Sequence, residues 1–369
     1  TIKNCNFNRH RRAIFCQGGK DYTIQNNTLL NSGSSNDQPA IYLLNIQQGS
    51  LAGGILMSGN TFGGTSSFGG IRFENMRDLS IGDASTGGNV KLEDNSGLNN
   101  MGGNAGGNSA YYLLHFVNVN NAKVDNVDLS RPVGATPAQD FTGIRIDNGA
   151  AYGPITIKDC NISRHRTGIS AQNGKDYTVT GNDLRGCGAG SEEPALYFNN
   201  ITQQDGTVPM GILANTNTFG TVNSVVSNCA LRLDNLCGIR ISDGTVPNSH
   251  IKIAAASGIK EVTGTGGNNP AVIAMINTSG MAVEKLDLEF TGAQTGTGIR
   301  FQNNNASQYD FSIKDNILKN RRMGVYIANG SDYTITGNNF QMTGAADDEP
   351  AIRMEHVAEG ALYGGVSMS

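Results

Sequence analysis

Residues 157–200 read IKDCNISRHRTGISAQNGKDYTVTGNDLRGCGAGSEEPALYFNN, and the chain contains this stretch three times. Residues 2–45 read IKNCNFNRHRRAIFCQGGKDYTIQNNTLLNSGSSNDQPAIYLLN, and residues 313–356 read IKDNILKNRRMGVYIANGSDYTITGNNFQMTGAADDEPAIRMEH. The copies begin at residues 2, 157 and 313, so they are 155 and 156 residues apart. Self-similarity at a nearly constant period indicates one structural unit repeated in tandem.

The composition excludes several classes of protein. Glycine accounts for 49 of the 369 residues and charged residues for 16%, whereas the usual glycine frequency is about 7%. The net charge of −4 provides no basic surface for nucleic acid. No apolar run approaches the roughly 18–20 residues that span a bilayer. We therefore expect no nucleic-acid partner and no membrane span.

A finer pattern recurs within each copy: an apolar residue, an Asn or small residue three positions later, and a second apolar residue two positions after that. The central position of this pattern falls at residues 5, 27, 60, 95, 127, 160, 182, 217, 256, 286, 316 and 338. Asn suits sharp turns because it tolerates left-handed backbone angles, and stacked Asn amides can hydrogen-bond to each other. The strands between these turns are short and alternate apolar with polar residues, and helical periodicity is lacking. The pattern predicts a parallel β-solenoid of about twelve coils.

Two segments carry a resemblance to a known family, GIRIDN at residues 143–148 and YTITGNNF at residues 333–340. In these motifs the chain resembles the right-handed parallel β-helices of the pectin-lyase-like superfamily. The resemblance implies an all-β, right-handed β-helix over the whole chain, but this fold serves many functions. We expect one continuous body over residues 1–369, with repeat copies at 1–155, 156–311 and, in part, 312–369.

Each coil also carries a strand of the form apolar-x-apolar-x-Asn, such as residues 41–45 or 144–148. Because side chains alternate between faces, the apolar pair points inward and the x positions form two outward columns. The first column contains an aromatic–arginine stripe, the predicted glycan or packing face: Tyr42, Arg72, His115, Arg145, Tyr197, Arg232, Arg300, Tyr326 and Arg353. Such a stripe suits stacking on sugar rings and bidentate pairing with carboxylates. It equally suits an outer sheet face on which Arg pairs with acids.

Catalytic motifs of the family are not found. The resemblance would imply an Asp cluster for calcium and a catalytic Arg in lyases, or clustered Asp, Gly-His-Gly and Arg-x-Lys in polygalacturonase-like enzymes. The sequence has no Gly-His-Gly, no Arg-x-Lys and no outward Asp cluster on adjacent coils. Glu74 and Asp147 each follow an Arg by two residues, which favours the charged carboxylate and not a general acid. We predict no catalytic residue, no metal site and no cofactor.

Two loops of opposite charge recur in the copies. The basic loop contains Arg9, Arg11, Arg164, Arg166, Arg321 and Arg322, and the acidic loop contains Glu192, Glu193, Asp347, Asp348 and Glu349. These residues are either solvated loop charges or assembly contacts that set the register between neighbouring molecules. The cysteines are too irregular for a disulfide framework. Cys5 and Cys160 are predicted to be small buried thiols, and pairing between Cys229 and Cys237 is left open.

We therefore predict a structural or adhesive segment of a larger secreted or surface repeat protein, such as a fibre, sheath, stalk or adhesin shaft. Its expected location is extracellular or on the cell surface. Its expected partners are copies of itself or further modules of the same chain, joined through the sides or ends of the solenoid. The alternative is a carbohydrate-binding or polysaccharide-modifying β-helix that uses the aromatic–arginine stripe, with a polysaccharide as partner.

Overall fold

The computed structural model describes residues 1–34, 38–64, 69–83, 85, 88–93, 96–101, 111–132, 141–190, 192–202, 209–265, 271–304, 309–341, 350–361 and 365–369. The strands are β1 Ile2–Lys3, β2 Asn6–Asn8, β3 Ile14–Gln17, β4 Tyr22–Gln25, β5 Thr28–Leu30, β6 Ile41–Leu44, β7 Ile55–Ser58, β8 Thr61–Gly63, β9 Gly69–Glu74, β10 Arg77–Gly82, β11 Val90–Lys91, β12 Tyr111–Val117, β13 Asn120–Asp125, β14 Phe141–Asp147 and β15 Ile155–Lys158. They continue as β16 Thr167–Gln172, β17 Tyr177–Thr180, β18 Leu196–Asn199, β19 Ile212–Asn215, β20 Leu231–Asp234, β21 Arg240–Ser242, β22 Ile251–Lys252, β23 Ile273–Ile276, β24 Ala282–Glu284, β25 Thr297–Gln302, β26 Phe311–Lys314, β27 Met323–Ala328, β28 Tyr333–Thr336, β29 Ile352–Glu355 and β30 Val366–Met368. Short 3-10 helices span Ala52–Gly54, Leu98–Asn100, Pro209–Gly211, Ala255–Ser257 and Ile259–Glu261.

The described strands form three sheets, of 15, 12 and 3 strands. The chain visits the sheets in turn, because β1, β4 and β7 lie in the 15-stranded sheet, β2, β5 and β8 in the 3-stranded sheet, and β3, β6 and β9 in the 12-stranded sheet. All pairings between these strands are parallel. The all-β class is therefore confirmed, and the long parallel sheets are consistent with a β-helix-like solenoid.

The predicted inward positions form the core. Ile41 and Leu43 of β6 have no exposed surface, and Ile71 and Phe73 of β9 stack on them in register. Equivalent apolar pairs follow along the sheet, and together they form one hydrophobic cluster that extends from Ile14 to Ile335. Each Å² of apolar surface that is buried stabilises the fold by about 25 cal/mol, so this core makes the main contribution to stability.

The strand-terminal asparagines adopt the predicted backbone conformation. Eight of the ten have left-handed φ angles between 51° and 62°: Asn45, Asn75, Asn118, Asn173, Asn200, Asn235, Asn277 and Asn329. The exceptions, Asn148 and Asn303, are buried and accept hydrogen bonds from the backbone N–H groups of Val119 and Thr278. Asn is used here because a β-branched side chain at such a φ would be strained.

The second predicted set of asparagines forms internal ladders. Asn182 Nδ2 donates to Asn217 Oδ1 at 2.9 Å and to the carbonyl of Ile157 at 3.1 Å, while its own Oδ1 accepts from the Cys160 N–H. The same side-chain bond joins Asn27 to Asn60 and Asn316 to Asn338. These amides satisfy backbone groups at the turns that would otherwise be buried without partners. Residue 95, another predicted turn position, lies outside the described residues.

Candidate functional site

The 12-stranded sheet holds all nine residues of the aromatic–arginine stripe, in the register that the strand pattern predicts. Tyr42 is the strand neighbour of Arg72, Arg72 of His115, and His115 of Arg145. Tyr197 adjoins Arg232, and Tyr326 lies between Arg300 and Arg353. Ser170 separates Arg145 from Tyr197, and Ala274 separates Arg232 from Arg300, so the stripe forms three runs on neighbouring strands. The chemistry of each run depends on what its side chains contact.

The first contact unit joins two strands. Tyr42 donates its hydroxyl hydrogen bond to Glu74 Oε2 at 2.5 Å, and Arg72 Nε donates to the same oxygen at 2.9 Å. The Arg72 guanidinium lies 5.0 Å from the Tyr42 ring centroid, within the range of a cation–π contact. Burial, together with the bond to Glu74, raises the pKa of Tyr42 to about 12. The phenol is therefore a fixed donor and not an acid–base group at neutral pH.

The second copy repeats this unit at equivalent positions. Tyr197 donates to Asp234 Oδ2 at 2.8 Å, and Arg232 donates to both carboxylate oxygens at 2.7–3.0 Å. Arg232 lies 5.5 Å from the Tyr197 ring centroid. Burial and the charge of Asp234 raise the pKa of Tyr197.

A third unit lies in the third copy. Its tyrosine is on the strand before the one that carries the tyrosine in the first two copies. Tyr326 donates to Glu355 Oε2 at 2.8 Å, and Arg353 pairs with Glu355 at 2.6 Å. The bonds from Tyr326 and Arg353 lower the pKa of Glu355. On the other side of the ring, Arg300 stacks 4.3 Å from the Tyr326 centroid and donates to Gln302 Oε1 at 2.8 Å. Arg300 is only 8% exposed although its register position faces outward.

A histidine replaces tyrosine in the fourth unit. His115 Nε2 lies 2.8 Å from Asp147 Oδ2, which also accepts from Arg145 Nε at 2.7 Å. His115 is 4% exposed, and burial lowers its pKa despite the adjacent carboxylate. Burial alone would raise the pKa of Asp147, but the bonds from His115 and Arg145 hold it below its ordinary value. At neutral pH His115 is therefore uncharged, and its Nε2 carries the proton that bonds to Asp147.

The four units account for every carboxylate in the second outward column: Glu74, Asp147, Asp234 and Glu355. Each is bound by the Arg two residues earlier on its own strand and by a donor on the preceding strand. An ionised carboxylate held by two donors is a poor general acid. The arrangement suits charge compensation along the sheet. The guanidinium groups that could bind an acidic ligand are already paired with carboxylates of their own strands.

The charged loops are paired partly within the chain. Arg166 forms an ion pair with Glu193, and Arg164 Nε donates to the carbonyl of Arg131. Among the other loop residues, Arg9, Arg11, Arg322 and Glu192 are exposed. Asp347, Asp348 and Glu349 lie outside the described residues.

Arg321 corrects the prediction for the basic loop. It has no exposed surface and donates to the carbonyls of Leu288, at 2.8 Å, and Val262, at 2.7 Å. An assembly contact through Arg321 is therefore ruled out by its burial. At the equivalent position of the second copy, His165 is also buried and lies 2.7 Å from the carbonyl of Leu129. In the second and third copies, the side chain at this position binds backbone carbonyls of earlier coils.

The cysteines differ in exposure and carry no disulfide. Cys160 is buried as predicted, and burial raises the pKa of its thiol to about 12. Cys5 is exposed, contrary to prediction, and lies between β1 and β2, which are outermost among the described strands of their sheets. Within the described part of the chain, no group of three His, Cys, Asp or Glu side chains is placed to hold a metal ion. No described helix has the length and apolar character to cross a membrane.

Comparison of the chain with protein-family models, with curated proteins and with solved structures gives no match. The function must therefore be argued from the residues and their geometry.

The strand pattern did not reveal a polar cleft beside the 12-stranded sheet. The cleft has a volume of about 560 Å³ and is lined by side chains of the turns that follow β6, β9 and β12, together with Tyr152. Its lining is mostly Asn and Gln side chains. The sequence feature that could have indicated it is the polar residue two positions after the strand-terminal Asn of these three turns, as in Gln47 and Asn120.

Proposed function

We propose that this chain is a structural segment, a stiff β-solenoid that serves as part of a fibre, sheath, stalk or adhesin shaft outside the cell. The observation that carries the proposal is the internal pairing of the outward face. The four carboxylates of the second column are each bound by an Arg and a hydroxyl or imidazole of the same chain. The charges on this face are therefore balanced within the chain, as suits a structural surface. None of these four carboxylates is free to act as a catalytic acid.

The finer architecture belongs to the same proposal. Crossover connections between parallel strands are right-handed in about 98% of cases, which supports a right-handed, pectin-lyase-like helix. Twelve coils, each adding about 4.8 Å, would give a rod roughly 58 Å long. The repeat copies at residues 1–155, 156–311 and 312–369 would then be modules of one continuous body.

Assembly would use the outermost strands. β1 and β30 are the first and last strands of the 15-stranded sheet, and β3 and β29 are those of the 12-stranded sheet. Outermost strands present backbone N–H and C=O groups that can pair with another chain. Further modules or second copies are the partners that fit such edges.

Electron microscopy of the purified chain at rising concentration, combined with turnover assays on neutral and acidic polysaccharides, tests the proposal. We expect end-joined rods or filaments and no product from any polysaccharide. Products released from a polysaccharide would overturn the proposal. Binding of an acidic polysaccharide that is lost in the double variant Arg145→Ala/Arg232→Ala would favour the carbohydrate alternative on the aromatic–arginine stripe.

A further inference from the structure

The polar cleft lies where three consecutive coils leave the 12-stranded sheet. Asn45, Asn75 and Asn118 follow β6, β9 and β12 and stack as left-handed turns, with φ angles of 51–55°. Asn75 Nδ2 donates to Asn45 Oδ1 at 2.9 Å, so these two amides are oriented along the stack. The turns therefore present a wall of stacked amide groups, two of which are bonded to each other.

Several amides of the wall retain hydrogen-bonding capacity. Asn118 Oδ1 accepts from the Gly149 N–H at 3.0 Å, and Asn120 Oδ1 accepts from the Gly153 N–H at 3.1 Å. These bonds use the side-chain oxygens and hold each amide in place, and neither NH₂ group donates a hydrogen bond to any of the described residues. Within the described residues the exposed Gln47 side chain has no hydrogen-bond partner, so it offers both a donor and an acceptor.

The remaining lining residues add an aromatic ring and one cation. Tyr152 lines the cleft, and its ring lies close to Gly149, where an added Cβ would be 3.3 Å from the ring. Arg77 is 70% exposed, and its Nε lies 3.8 Å from Asp78 in a weak surface pair. None of the described residues that line the cleft is a carboxylate. The chemistry is that of planar amides and an aromatic ring, with little net charge.

The second repeat copy supplies a natural control. Its corresponding positions carry Thr202 in place of Gln47, Cys237 in place of Arg77 and Ser279 in place of Asn120. The strand-terminal asparagines are retained, at Asn200, Asn235 and Asn277. Gln47, Arg77 and Asn120 are thus particular to the first copy, whereas Gln48 has a counterpart in Gln203.

We propose that this cleft, which we call the amide cleft, binds a neutral oligosaccharide. Amide groups match the donor and acceptor pairs of adjacent sugar hydroxyls, and an aromatic ring packs on the apolar C–H face of a sugar. The volume of about 560 Å³ lies within the usual range for small-ligand sites. The amide cleft is separate from the aromatic–arginine stripe and is lined by neither Tyr42 nor Arg72.

Calorimetric titration with linear hexasaccharides of glucose, mannose, N-acetylglucosamine and galacturonic acid tests the proposal. We expect at least one neutral hexasaccharide to bind with an affinity that is unchanged in about 1 M salt, because neutral contacts are not screened. The variant Gln47→Thr/Asn120→Ser, which installs the second-copy residues, should weaken that binding at least about tenfold. The matched variant Thr202→Ala/Ser279→Ala should bind like the parent.

Three results would overturn the proposal. They are the absence of binding by every neutral hexasaccharide, unchanged binding in Gln47→Thr/Asn120→Ser, and binding of galacturonate alone that disappears in about 1 M salt. Thermal unfolding of each variant verifies folding. Tyr152→Phe provides a second folded variant, because it preserves the stacking ring and should lower the affinity much less than Tyr152→Ala.

Discussion

The first and second repeat copies build the same frame but carry different chemistry on equivalent strands. In the first copy, Arg72, His115 and Arg145 occupy the outward column on three adjacent strands. In the second copy, the corresponding strands carry Arg232, Ala274 and Arg300. The inward apolar pairs are kept in both copies, since the core cannot lose them. Outward side chains are therefore the positions where the copies have diverged in chemistry.

A second comparison concerns one loop position in all three copies. His10 is exposed, whereas His165 and Arg321, at the equivalent positions, are buried and bound to backbone carbonyls. His10 lies in the coil of β1 and β2, which are outermost among the described strands of their sheets. The same sequence position is thus exposed in the first copy and interior in the other two, where carbonyls of an earlier coil bind the side chain.

The largest expected effect comes from breaking an internal ladder. In Asn182→Ala, the Cys160 N–H and the Ile157 carbonyl lose their buried partners, since Asn182 bonds to both. At about 1–3 kcal/mol for each unsatisfied group, we expect a loss of about 3–5 kcal/mol in the free energy of unfolding. Denaturant unfolding measures this loss.

The first copy sharpens this prediction. Asn27→Ala removes the equivalent bonds to the Cys5 N–H and the Ile2 carbonyl, but Cys5 is exposed and water can replace the amide. We expect about half the loss seen for Asn182→Ala. Equal losses in the two variants would contradict the view that the surrounding coils determine the cost.

The buried arginine should give the next largest effect. Arg321→Leu leaves the carbonyls of Leu288 and Val262 without their donor, so we expect a loss of about 3 kcal/mol. Arg322→Ala, at the exposed neighbouring position, should change the free energy of unfolding by less than about 0.5 kcal/mol. A neutral outcome for Arg321→Leu in denaturant unfolding would refute the interior role of this side chain.

Acid should destabilise the second copy through His165. Burial lowers the pKa of His165 to about 3, whereas the unfolded side chain titrates near 6.5. Below about pH 6.5 the unfolded chain therefore binds a proton that the folded chain does not, and stability falls as the pH is lowered. The expected loss is about 2 kcal/mol at pH 5 relative to pH 7.

Unfolding curves between pH 7 and pH 5 check this effect. His165→Gln removes the titrating group and keeps a donor for the Leu129 carbonyl, so its pH dependence should be smaller by about 2 kcal/mol. A His165→Gln variant with the parent pH dependence would show that other groups cause the acid sensitivity.

The smallest expected effect is on the outward face. Tyr197→Phe removes one donor to Asp234, which remains bound to Arg232, so we expect a loss of about 1 kcal/mol. Tyr42→Phe removes the equivalent donor to Glu74 at a more exposed site, and about 0.5 kcal/mol is expected there. Thermal unfolding resolves the order of the two, and a larger loss for Tyr42→Phe would contradict it.

The frame was predictable because it depends on local rules. Alternation placed Ile41 and Leu43 inside, and the tolerance of Asn for left-handed angles placed Asn45 and Asn75 at the turns. The repeat period then aligned the strands, so the neighbours of Tyr42 and Tyr197 followed from the sequence.

The contacts of long side chains could not be predicted in the same way. Arg321 has the pattern of a loop charge, and only its position above the Leu288 and Val262 carbonyls makes it interior. The amide cleft likewise depends on how far successive turns project from the sheet, a distance that strand periodicity does not contain. Function in a solenoid therefore has to be sought where the copies differ.

Hydrogen exchange of backbone amides, resolved along the chain by mass spectrometry, tests the central claim most directly. If the copies form one continuous stack, strand amides from β6 to β27 should exchange only through global unfolding and should be protected alike in the first two copies. Protection should decrease only at the outermost strands β1, β3, β29 and β30. Rapid exchange throughout one copy beside full protection of the other would contradict a single stacked body.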